Sequence, residues 1–479
     1  MNPLCFVLMP FGIKTDGNKK EINFDTVYNS FIKPAIEAAG LEPIRADEEA
    51  TGGFIHKPMY ERLMFCDFAV ADLSFANANV FYELGIRHAL KPHTTVSIFE
   101  VATKIPFDTA PLRTFPYEYE NGAIKDIDAK KAALAALIKE KVKSLSNDSP
   151  IKELVIGYEF PDLTGLAADA ESFKAVINDA KEQNEEIKEE VKKWKAVNNK
   201  LKEKGLSKEQ QDQIKEDCKP FINNVVAIQK RTTNDLRINY DLVYKLIAAY
   251  KSMNAFQQLV DMLKPLVEEK SDKNLLKQNI YVKQQLGLAY NKIDDRDASE
   301  EILQSIIDQY GTDPETNGLL GAVYKGRMDD FEKTDVDVSN AYGMQAAAKY
   351  LEGFEADPRD YYPGVNALTL LFLADGKDNI DFIKYYPLVK YAVERAMRTK
   401  SKDYWVQATA VELAALDLNA TEVNKYYANA ITCQPDDWMK ETTACNLEKI
   451  YNKALQTSDE QSLQWLKDTA VKLYPEAFD

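Results

Sequence analysis

Short apolar runs alternate with amphipathic stretches along the first 160 residues. The apolar runs have the length and composition of buried strands. They are Leu4 to Met9, Leu41 to Arg45, Phe68 to Asp72 and Thr94 to Phe99. The stretches with helical spacing are Phe24 to Ala39, Asn77 to Leu90 and Asp126 to Leu145. Strands that alternate with helices form a parallel sheet covered by helices, so residues 1–160 are predicted to be a doubly wound α/β domain of four or five strands.

The segment from Glu171 to Glu216 is dense in Glu, Lys and Gln and has few apolar positions. This pattern is typical of a solvated helix, and Gly205 followed by Ser207 indicates a turn and a helix cap. A sustained apolar heptad, which a coiled coil requires, is not visible. Residues 161–220 are therefore predicted to be a charged helical connector, as one long helix or a helical hairpin.

From Phe221 onward, apolar residues recur at helical spacing in one short segment after another. The predicted antiparallel helices span Tyr240 to Tyr250, Leu259 to Val267, Tyr281 to Tyr290, Ala298 to Tyr310 and Thr316 to Tyr324. Residues 221–479 are thus predicted to form an all-α domain.

One stretch of this domain has the residue order of a tetratricopeptide repeat. Ala347, Tyr350 and Phe354, followed by Asp357-Pro358, give the small, aromatic, aromatic and terminating-proline order of its second helix, and Asp313-Pro314 marks a similar stop earlier. Stacked helix pairs of this kind build an extended surface on which a protein or peptide partner binds. The domain is therefore predicted to be a degenerate tetratricopeptide-like array with a protein-binding role.

Charge and composition narrow the classes of partner. The 479 residues carry a net charge of −16, which repels a phosphate backbone or an anionic membrane, so neither nucleic acid nor a membrane is expected. No secretory signal or run of about 18 apolar residues is visible, and we expect a cytoplasmic protein. Five scattered cysteines without a CxxC pair indicate neither a zinc site nor a redox site.

Polar segments follow three of the predicted strands. They are Pro10 to Gly12, Asp47, and Asp72 to Asn79, and they share the carboxyl edge of the sheet, where doubly wound domains bind ligands. Glu83 lies in the helix that follows Asp72, so two carboxylates can face one pocket. Cleavage of an N-glycosidic bond needs a carboxylate that stabilises or traps an oxocarbenium-like centre, and Glu83 and Asp72 can fill these roles.

Structural roles for these residues are equally open at this point. Glu83 and Arg87 have the i, i+4 spacing of a surface ion pair worth about 0.3–0.5 kcal/mol. Asp72 can instead accept hydrogen bonds from backbone amides of the turn after its strand.

The histidines do not predict a metal site. His56, His88 and His93 lack the spacing and the additional ligands that a metal ion requires. His88 and His93 bracket a helix end, where a histidine can stabilise the negative end of the helix dipole.

Several motifs resemble a known group of domains. Met9-Pro10-Phe11-Gly12, Ala71-Asp72-Leu73-Ser74 and the run from Asn79 to Gly85 resemble the nucleoside 2-deoxyribosyltransferase-like and TIR-like domains of bacteria, over roughly the first 120 residues. The resemblance implies a flavodoxin- or TIR-like fold and a catalytic helix glutamate, which Glu83 matches. The predicted catalytic residues are Glu83 and Asp72, and the predicted substrate-binding residues are Pro10, Phe11, Gly12, Asp47, Ser74, Asn79, Tyr82 and Arg87.

The whole chain is similar to the central regulatory, TRAFs-binding region of the apoptosis signal-regulating kinases. The stretches that match are Phe81 to Arg87, Gly321 to Lys325 and Ala347 to Gly376. Glycine-rich, HRD and DFG elements of a kinase domain are not present. The resemblance implies a free-standing, bacterial relative of a region that binds partners and assembles oligomers. The animal versions lack the acidic residue that stands here as Glu83.

Two functional hypotheses follow. In the first, the N-terminal domain cleaves the N-glycosidic bond of NAD or a related nucleotide without a cofactor or metal, and the repeats regulate it, in bacterial stress or phage defence. In the second, the chain is a non-catalytic signalling scaffold that binds proteins through the repeats and the TIR-like domain. Both hypotheses predict a homo-oligomer.

Overall fold

A computed structural model describes residues 2–16, 20–45, 56–91, 93–104, 114–144, 148–155, 159–161, 167–202, 206–231, 240–269, 275–399 and 402–478. The chain divides into two compact units. The first consists of Met1–Asn254 with Lys273–Leu275, and the second of Ala255–Asp272 with Leu276–Asp479. The boundaries at residues 160 and 220 stay predictions.

In its described residues, the first unit contains a main sheet, two short two-stranded sheets, the helices that cover the main sheet and further helices. Its strands are β1 (Leu4–Leu8), β2 (Ile13–Thr15), β3 (Glu21–Asn23), β4 (Glu42–Arg45), β5 (Phe68–Asp72), β6 (Thr95–Glu100), β7 (Thr114–Tyr117), β8 (Tyr119–Glu120) and β9 (Ala123–Ile124). Its helices are α1 (Phe24–Val27), α2 (Lys33–Ala38), α3 (His56–Phe65), α4 (Ala78–Leu90), α5 (Ile127–Ser144), α6 (Pro150–Leu154), α7 (Ala167–Asn198), α8 (Lys208–Arg231) and α9 (Tyr240–Ser252).

Five strands form one parallel sheet in the order β4-β1-β5-β6-β7. This is the flavodoxin-type order, and the predicted doubly wound fold is confirmed. The order reverses between β1 and β5, where Val7 pairs with Val70. In such sheets the ligand crevice lies outside the carboxyl ends of the strands at this switch point.

Each face of the sheet packs against its own helices. Cys5 and Val7 of β1 face a core that contains residues of α1, α2 and α5, whereas Phe6 and Leu8 face a core with residues of α3 and α4. Successive side chains of a strand point to opposite faces, which explains why the β1 run is apolar throughout.

The helix predicted from Phe24 to Ala39 contains a π-helical turn. Tyr28–Ile32 forms this turn between α1 and α2. Pro34 has no N–H for the carbonyl of Ser30, so the regular i to i−4 pattern cannot continue there. The segment ends as predicted, with Gly40 at φ +82°.

The charged segment is the predicted helical hairpin. Helix α7 continues into a 3₁₀ turn at Asn199–Lys202, and α8 begins at Lys208. Ser207 caps α8: its Oγ accepts from the backbone N of Gln210 at 3.2 Å, and the Gln210 side chain accepts from the Ser207 backbone N at 2.8 Å. This is a capping box. Pro220 and the predicted boundary lie inside α8, and Gly205 lies outside the described residues.

The second unit is all-helical. Its helices are α10 (Phe256–Glu268), α11 (Ile280–Lys292), α12 (Arg296–Tyr310), α13 (Pro314–Phe331), α14 (Val336–Ala356), α15 (Tyr361–Asp375), α16 (Ile380–Thr399), α17 (Tyr404–Leu416), α18 (Ala420–Thr432), α19 (Asp437–Ala454) and α20 (Glu460–Leu473). Most consecutive helices pack on each other, as helical repeats do. Throughout the described part of the chain, every helix falls short of the length and apolarity that a membrane crossing requires.

The repeat motif lies where the sequence predicts it. Ala347, Tyr350 and Phe354 are buried on α14, which ends at Ala356 before Asp357-Pro358. Asp313-Pro314 does more than end a helix, because Asp313 Oδ1 accepts from the backbone N of Thr316 at 2.9 Å and Pro314 is the first residue of α13. The pair therefore starts the next helix.

Candidate functional site

Asp72, the last residue of β5, is fully buried in a hydrogen-bond network at the switch point. Its Oδ1 accepts from the backbone N of Ser74 at 3.0 Å and from Ser74 Oγ at 2.5 Å, and its Oδ2 accepts from the Tyr117 hydroxyl at 2.8 Å. Burial raises the pKa of Asp72 to about 6 in spite of these bonds. The turn role that the sequence leaves open for Asp72 is thus the one its contacts show.

Glu100 is a second buried carboxylate at this edge, and the sequence analysis missed it. It ends β6 and is 1% exposed. Its Oε1 lies 2.5 Å from Lys20 Nζ, its Oε2 accepts from the backbone N of Ala102 at 2.9 Å, and its own backbone N donates to Ser74 Oγ at 2.9 Å. The Glu100 charge also raises the pKa of Asp72. The sequence signal for Glu100 is an acidic residue at the end of an apolar strand, the same signal that identified Asp72.

The turn after β5 adopts a strained backbone. Phe75 has φ 60° and Ala76 has φ 48°, in the left-handed region that costs a non-glycine residue about 1–2 kcal/mol. The Phe75 backbone N donates to Thr103 Oγ1 at 3.2 Å, and its ring packs edge-to-face on Phe24 with centroids 5.8 Å apart. These contacts offset the strain, which is often found beside ligand sites.

Helix α4, which follows this turn, carries Glu83. Asn77 caps the helix by accepting from the backbone N of Asn79 at 3.0 Å. Glu83 is half-buried and makes no hydrogen bond or ion pair with any residue of the described ranges, and burial raises its pKa to about 7. Asn79 is exposed, and the hydroxyl of the exposed Tyr82 lies 2.7 Å from that of Tyr60.

Arg87 is fully buried and does not pair with Glu83. Its Nη1 donates to the carbonyls of Leu63 and Cys66 at 2.8 and 2.9 Å, and its Nη2 donates to Thr94 Oγ1 at 2.7 Å. The surface ion pair that the i, i+4 spacing allows is therefore not formed. Arg87 instead joins α4 to the end of α3 and to the segment before β6, and it has no exposed surface for a substrate.

The loop after β1 lies at the same edge of the sheet. Pro10 is buried, Phe11 is 39% exposed, and Gly12 has φ +62°. The Gly12 backbone N donates to Asp25 Oδ1 at 3.3 Å. The Arg45 guanidinium lies 5.6 Å from the Phe11 ring centroid and 2.9 Å from Asp25 Oδ1.

The predicted site residues are thus brought together only in part. Asp72 and Ser74 bond directly, whereas Asp72 and Glu83 share no hydrogen bond. Asp47 lies outside the described residues.

The expectation that His88 supports a helix end through its charge is wrong. Burial, and to a smaller extent the positive charge of the neighbouring Arg87, lowers the pKa of His88 to about 4. The ring is therefore neutral at physiological pH. His93 Nε2 lies 2.6 Å from Lys152 Nζ. In the part of the chain that the structure describes, no group of three metal-binding side chains comes together.

A second candidate surface lies in the helical unit. The helices α13, α15, α17 and α19 pack on one another. Lys453 Nζ on α19 donates to the Ala374 carbonyl on α15 at 2.7 Å, and Asn446 Nδ2 on α19 donates to Glu412 Oε1 on α17 at 2.9 Å. We call the surface on these four helices the odd-helix face.

Three odd helices begin with the same arrangement of side chains. Tyr362, Trp405 and Trp438 lie near the start of α15, α17 and α19 and are 61, 37 and 49% exposed. Four residues later, a side chain donates to the carbonyl of each aromatic residue at 2.8–2.9 Å; these donors are Asn366, Thr409 and Thr442. The rings of Trp405 and Trp438 lie 5.6 Å apart.

The sequence contains a signal for this arrangement that the analysis of motifs missed. Asp360, Asp403 and Asp436 each stand two residues before one of the aromatic residues. The first two cap their helices, and Asp436 Oδ2 accepts from the indole Nε1 of Trp438 at 3.3 Å. The motif is therefore an Asp, followed two residues later by Tyr or Trp and four residues after that by Asn or Thr.

Comparison with known proteins identifies the chain at the level of its family. No curated protein shows significant similarity to it. The family model described as the MAP3K TRAFs-binding domain matches residues 80–471, from α4 to α20. The match covers most of the chain and includes the odd-helix face. The chain belongs to the MAP3K TRAFs-binding domain family.

Proposed function

We propose that the chain is a signalling scaffold that binds a partner protein on its odd-helix face. The family supports a protein partner. The observation that carries the proposal is the row formed by Tyr362, Trp405 and Trp438, repeated on three successive odd helices and left exposed. Tyr and Trp are enriched at protein interfaces, where they dominate the binding energy.

Two of the exposed aromatic side chains on the odd-helix face also contact each other. The ring centroids of Trp405 and Trp438 lie 5.6 Å apart, and Asp436 Oδ2 accepts from the Trp438 indole Nε1 at 3.3 Å. These contacts restrict the two indoles, which lowers the conformational entropy that they lose on binding.

Site-specific photocrosslinking tests this proposal. A photoreactive amino acid replaces Thr442, which is exposed on the odd-helix face, in the full chain inside its native cells. The matched control places it at Asn424, which is exposed on α18. The proposal predicts one defined protein adduct from position 442 and none from 424. Adducts of equal yield at both positions, or at neither, would contradict it.

Glu83 supports a second candidate function, cleavage of the N-glycosidic bond of NAD or a related nucleotide by a TIR-like domain. Its carboxylate is half-buried, is not neutralised by Arg87 and has a pKa raised to about 7 by burial. Carboxylates with raised pKa values near a ligand crevice are candidates for catalysis. If the domain is this enzyme, Asp72 and Ser74 would position the turn after β5 next to the substrate.

Nicotinamide release from NAD, followed by chromatography, tests the second candidate. Concentrated wild-type protein is compared with Glu83→Ala and with Glu140→Ala, a control on the exposed face of α5. Catalysis at Glu83 predicts turnover by the wild type and the control and none by Glu83→Ala. Light scattering on the same samples measures the predicted homo-oligomer, and the absence of turnover in an assembled sample excludes this candidate.

A further inference from the structure

A group of charged and polar side chains lies on the odd-helix face, two to three helical turns beyond Trp405 on α17 and Trp438 on α19. Lys325 is on α13, Glu412 on α17, and Asn446 and Lys449 on α19, and we call them the Lys325 cluster. Asn446 Nδ2 donates a hydrogen bond to Glu412 Oε1 at 2.9 Å. Glu412 follows Trp405 by seven residues, so both lie on the same stripe of α17.

Lys325 is a half-buried cation that forms no ion pair within the described part of the chain. It makes no hydrogen bond or ion pair with any residue that the structure describes. Burial lowers its pKa, and the positive charge of Lys449 lowers it further, while Asp329 and Glu412 offset part of the effect. Two ammonium groups therefore repel each other on this surface, and one of them has lost much of its hydration.

Glu412 and Asp329 offset only part of this repulsion. The Glu412 carboxylate interacts electrostatically with Lys325 but forms no ion pair with it, and burial raises the pKa of Glu412 to about 7. An anionic group from outside would relieve the repulsion between Lys325 and Lys449 and replace the water that Lys325 has lost.

We propose that the Lys325 cluster binds the carboxylate of an acidic residue in a peptide segment whose neighbouring apolar residue packs on Trp405 and Trp438. This inference rests on the proposed scaffold function and names the chemistry of its partner. The cluster lacks arginine, which provides the fork that favours a phosphate group, and the ionised fraction of Glu412 repels a dianion more than a monoanion. A carboxylate therefore fits the cluster better than a phosphate.

The spacing along α17 is the guide to the spacing in the peptide. Seven residues of α-helix separate Trp405 from Glu412, a distance of about 10 Å along the axis. An extended peptide covers about 3.3 Å per residue, so the apolar and acidic residues of the partner stand about three positions apart.

Fluorescence anisotropy of the full chain with defined peptides tests the proposal. The probes are fluorescein-labelled, end-capped nonapeptides of Gly and Ser that carry one Leu and one Glu three positions apart. The matched probe has Gln in place of Glu, and another has phosphoserine. We expect the Glu peptide to bind at least tenfold more tightly than the Gln peptide and more tightly than the phosphoserine peptide.

Variants locate the binding site. Lys325→Met is expected to reduce binding of the Glu peptide to the level of the Gln peptide, whereas Lys472→Met, on the exposed surface of α20, binds as the wild type does. Because Lys325 has no bond to lose, thermal unfolding of Lys325→Met is expected at or above the wild-type temperature. A lowered unfolding temperature would indicate a structural role for Lys325 and contradict the proposal.

The remaining outcomes separate this inference from the scaffold proposal. Equal binding of Glu and Gln peptides, tighter binding of the phosphoserine peptide, or no binding by any probe would overturn the carboxylate site. If the adduct from position 442 forms unchanged in Lys325→Met, the carboxylate site is wrong and the scaffold stands. If wild-type protein yields no such adduct, the scaffold proposal itself fails.

Discussion

At the scale of single residues, Arg87 shows how burial changes what spacing suggests. The sequence places it one helical turn from Glu83, and an ion pair is the simplest interpretation of that spacing. In the fold, the end of α3 presents the carbonyls of Leu63 and Cys66 to its guanidinium. The contact between these carbonyls and Arg87 depends on tertiary packing, so the local sequence around Arg87 cannot predict it. Glu83 is left without an ion pair in the described structure, and its catalytic role stays a prediction.

Replacement of Arg87 by Met is expected to destabilise the first unit. The change leaves the carbonyls of Leu63 and Cys66 buried without their donor, and the loss of a buried, multiply bonded charge costs about 3–5 kcal/mol. Urea unfolding measures the effect, and Glu83→Gln serves as the control, with a change below about 1 kcal/mol. Similar stabilities of the two variants would show that Arg87 does not hold these elements together.

Asp72 is expected to make stability depend on pH. Its pKa is about 6 in the fold and 3.8 in a model peptide, so the folded state binds more protons between these values. The free energy of unfolding therefore falls as pH rises from about 4 to about 6, by roughly 3 kcal/mol for the full shift. Asp72→Asn removes this contribution.

Comparing Asp72→Asn with the wild type separates the contribution of Asp72 to the pH dependence from the contributions of other titratable groups. His88, with a pKa lowered to about 4, contributes a slope of the opposite sign over the same range and is present in both proteins. The difference in unfolding free energy between Asp72→Asn and the wild type should therefore grow in favour of the variant from pH 4 to pH 6.5. Parallel curves would mean that Asp72 is ionised in the fold at pH 4.

At the scale of elements, hydrophobic spacing was a reliable guide to strands and helices. The predicted Phe68–Asp72 strand and the helix capped by Asn77 form at those residues. Spacing could not predict the π-helical turn at Tyr28–Ile32, because apolar periodicity does not show whether a backbone N–H bonds four or five residues back, as Lys33 does to Tyr28. It also missed the aromatic row, because an exposed aromatic residue is recognised only when the helix face it lies on is known.

Close packing between α13 and α14 depends on Gly321. A Cβ atom at this position would lie 2.8 Å from ring atoms of the buried Tyr350. Gly321→Ala is expected to destabilise the second unit by about 1–3 kcal/mol through overpacking, although alanine favours the helix itself.

Gly318 provides the matched control in the same helix. A Cβ atom there meets nothing within 4 Å, so Gly318→Ala is expected to stabilise by up to about 1 kcal/mol. Thermal unfolding of both variants measures the difference. Equal stabilisation by both would show that Tyr350 does not pack against Gly321.

At the scale of the whole molecule, the α/β fold followed by helices was predictable from the order of apolar patterns, and the family match agrees with the resemblance to the kinase regulatory region. The function was harder to predict from the sequence than the fold. Asp72 and Ser74 occupy the predicted edge, but Glu100 and Tyr117 reach it from other strands through pairings that no local motif encodes. The odd-helix face likewise exists only once α15, α17 and α19 are packed together.

The affinity of the photocrosslinked partner for aromatic variants tests the scaffold proposal most directly. Isothermal titration compares wild-type protein with Trp405→Ala/Trp438→Ala and with Tyr391→Ala, an aromatic residue 62% exposed on α16. Because a hot-spot aromatic contributes at least about 2 kcal/mol, we expect the double variant to bind at least about thirtyfold more weakly and Tyr391→Ala to bind as the wild type does. Wild-type affinity in the double variant would contradict the assignment of the odd-helix face as the partner-binding surface.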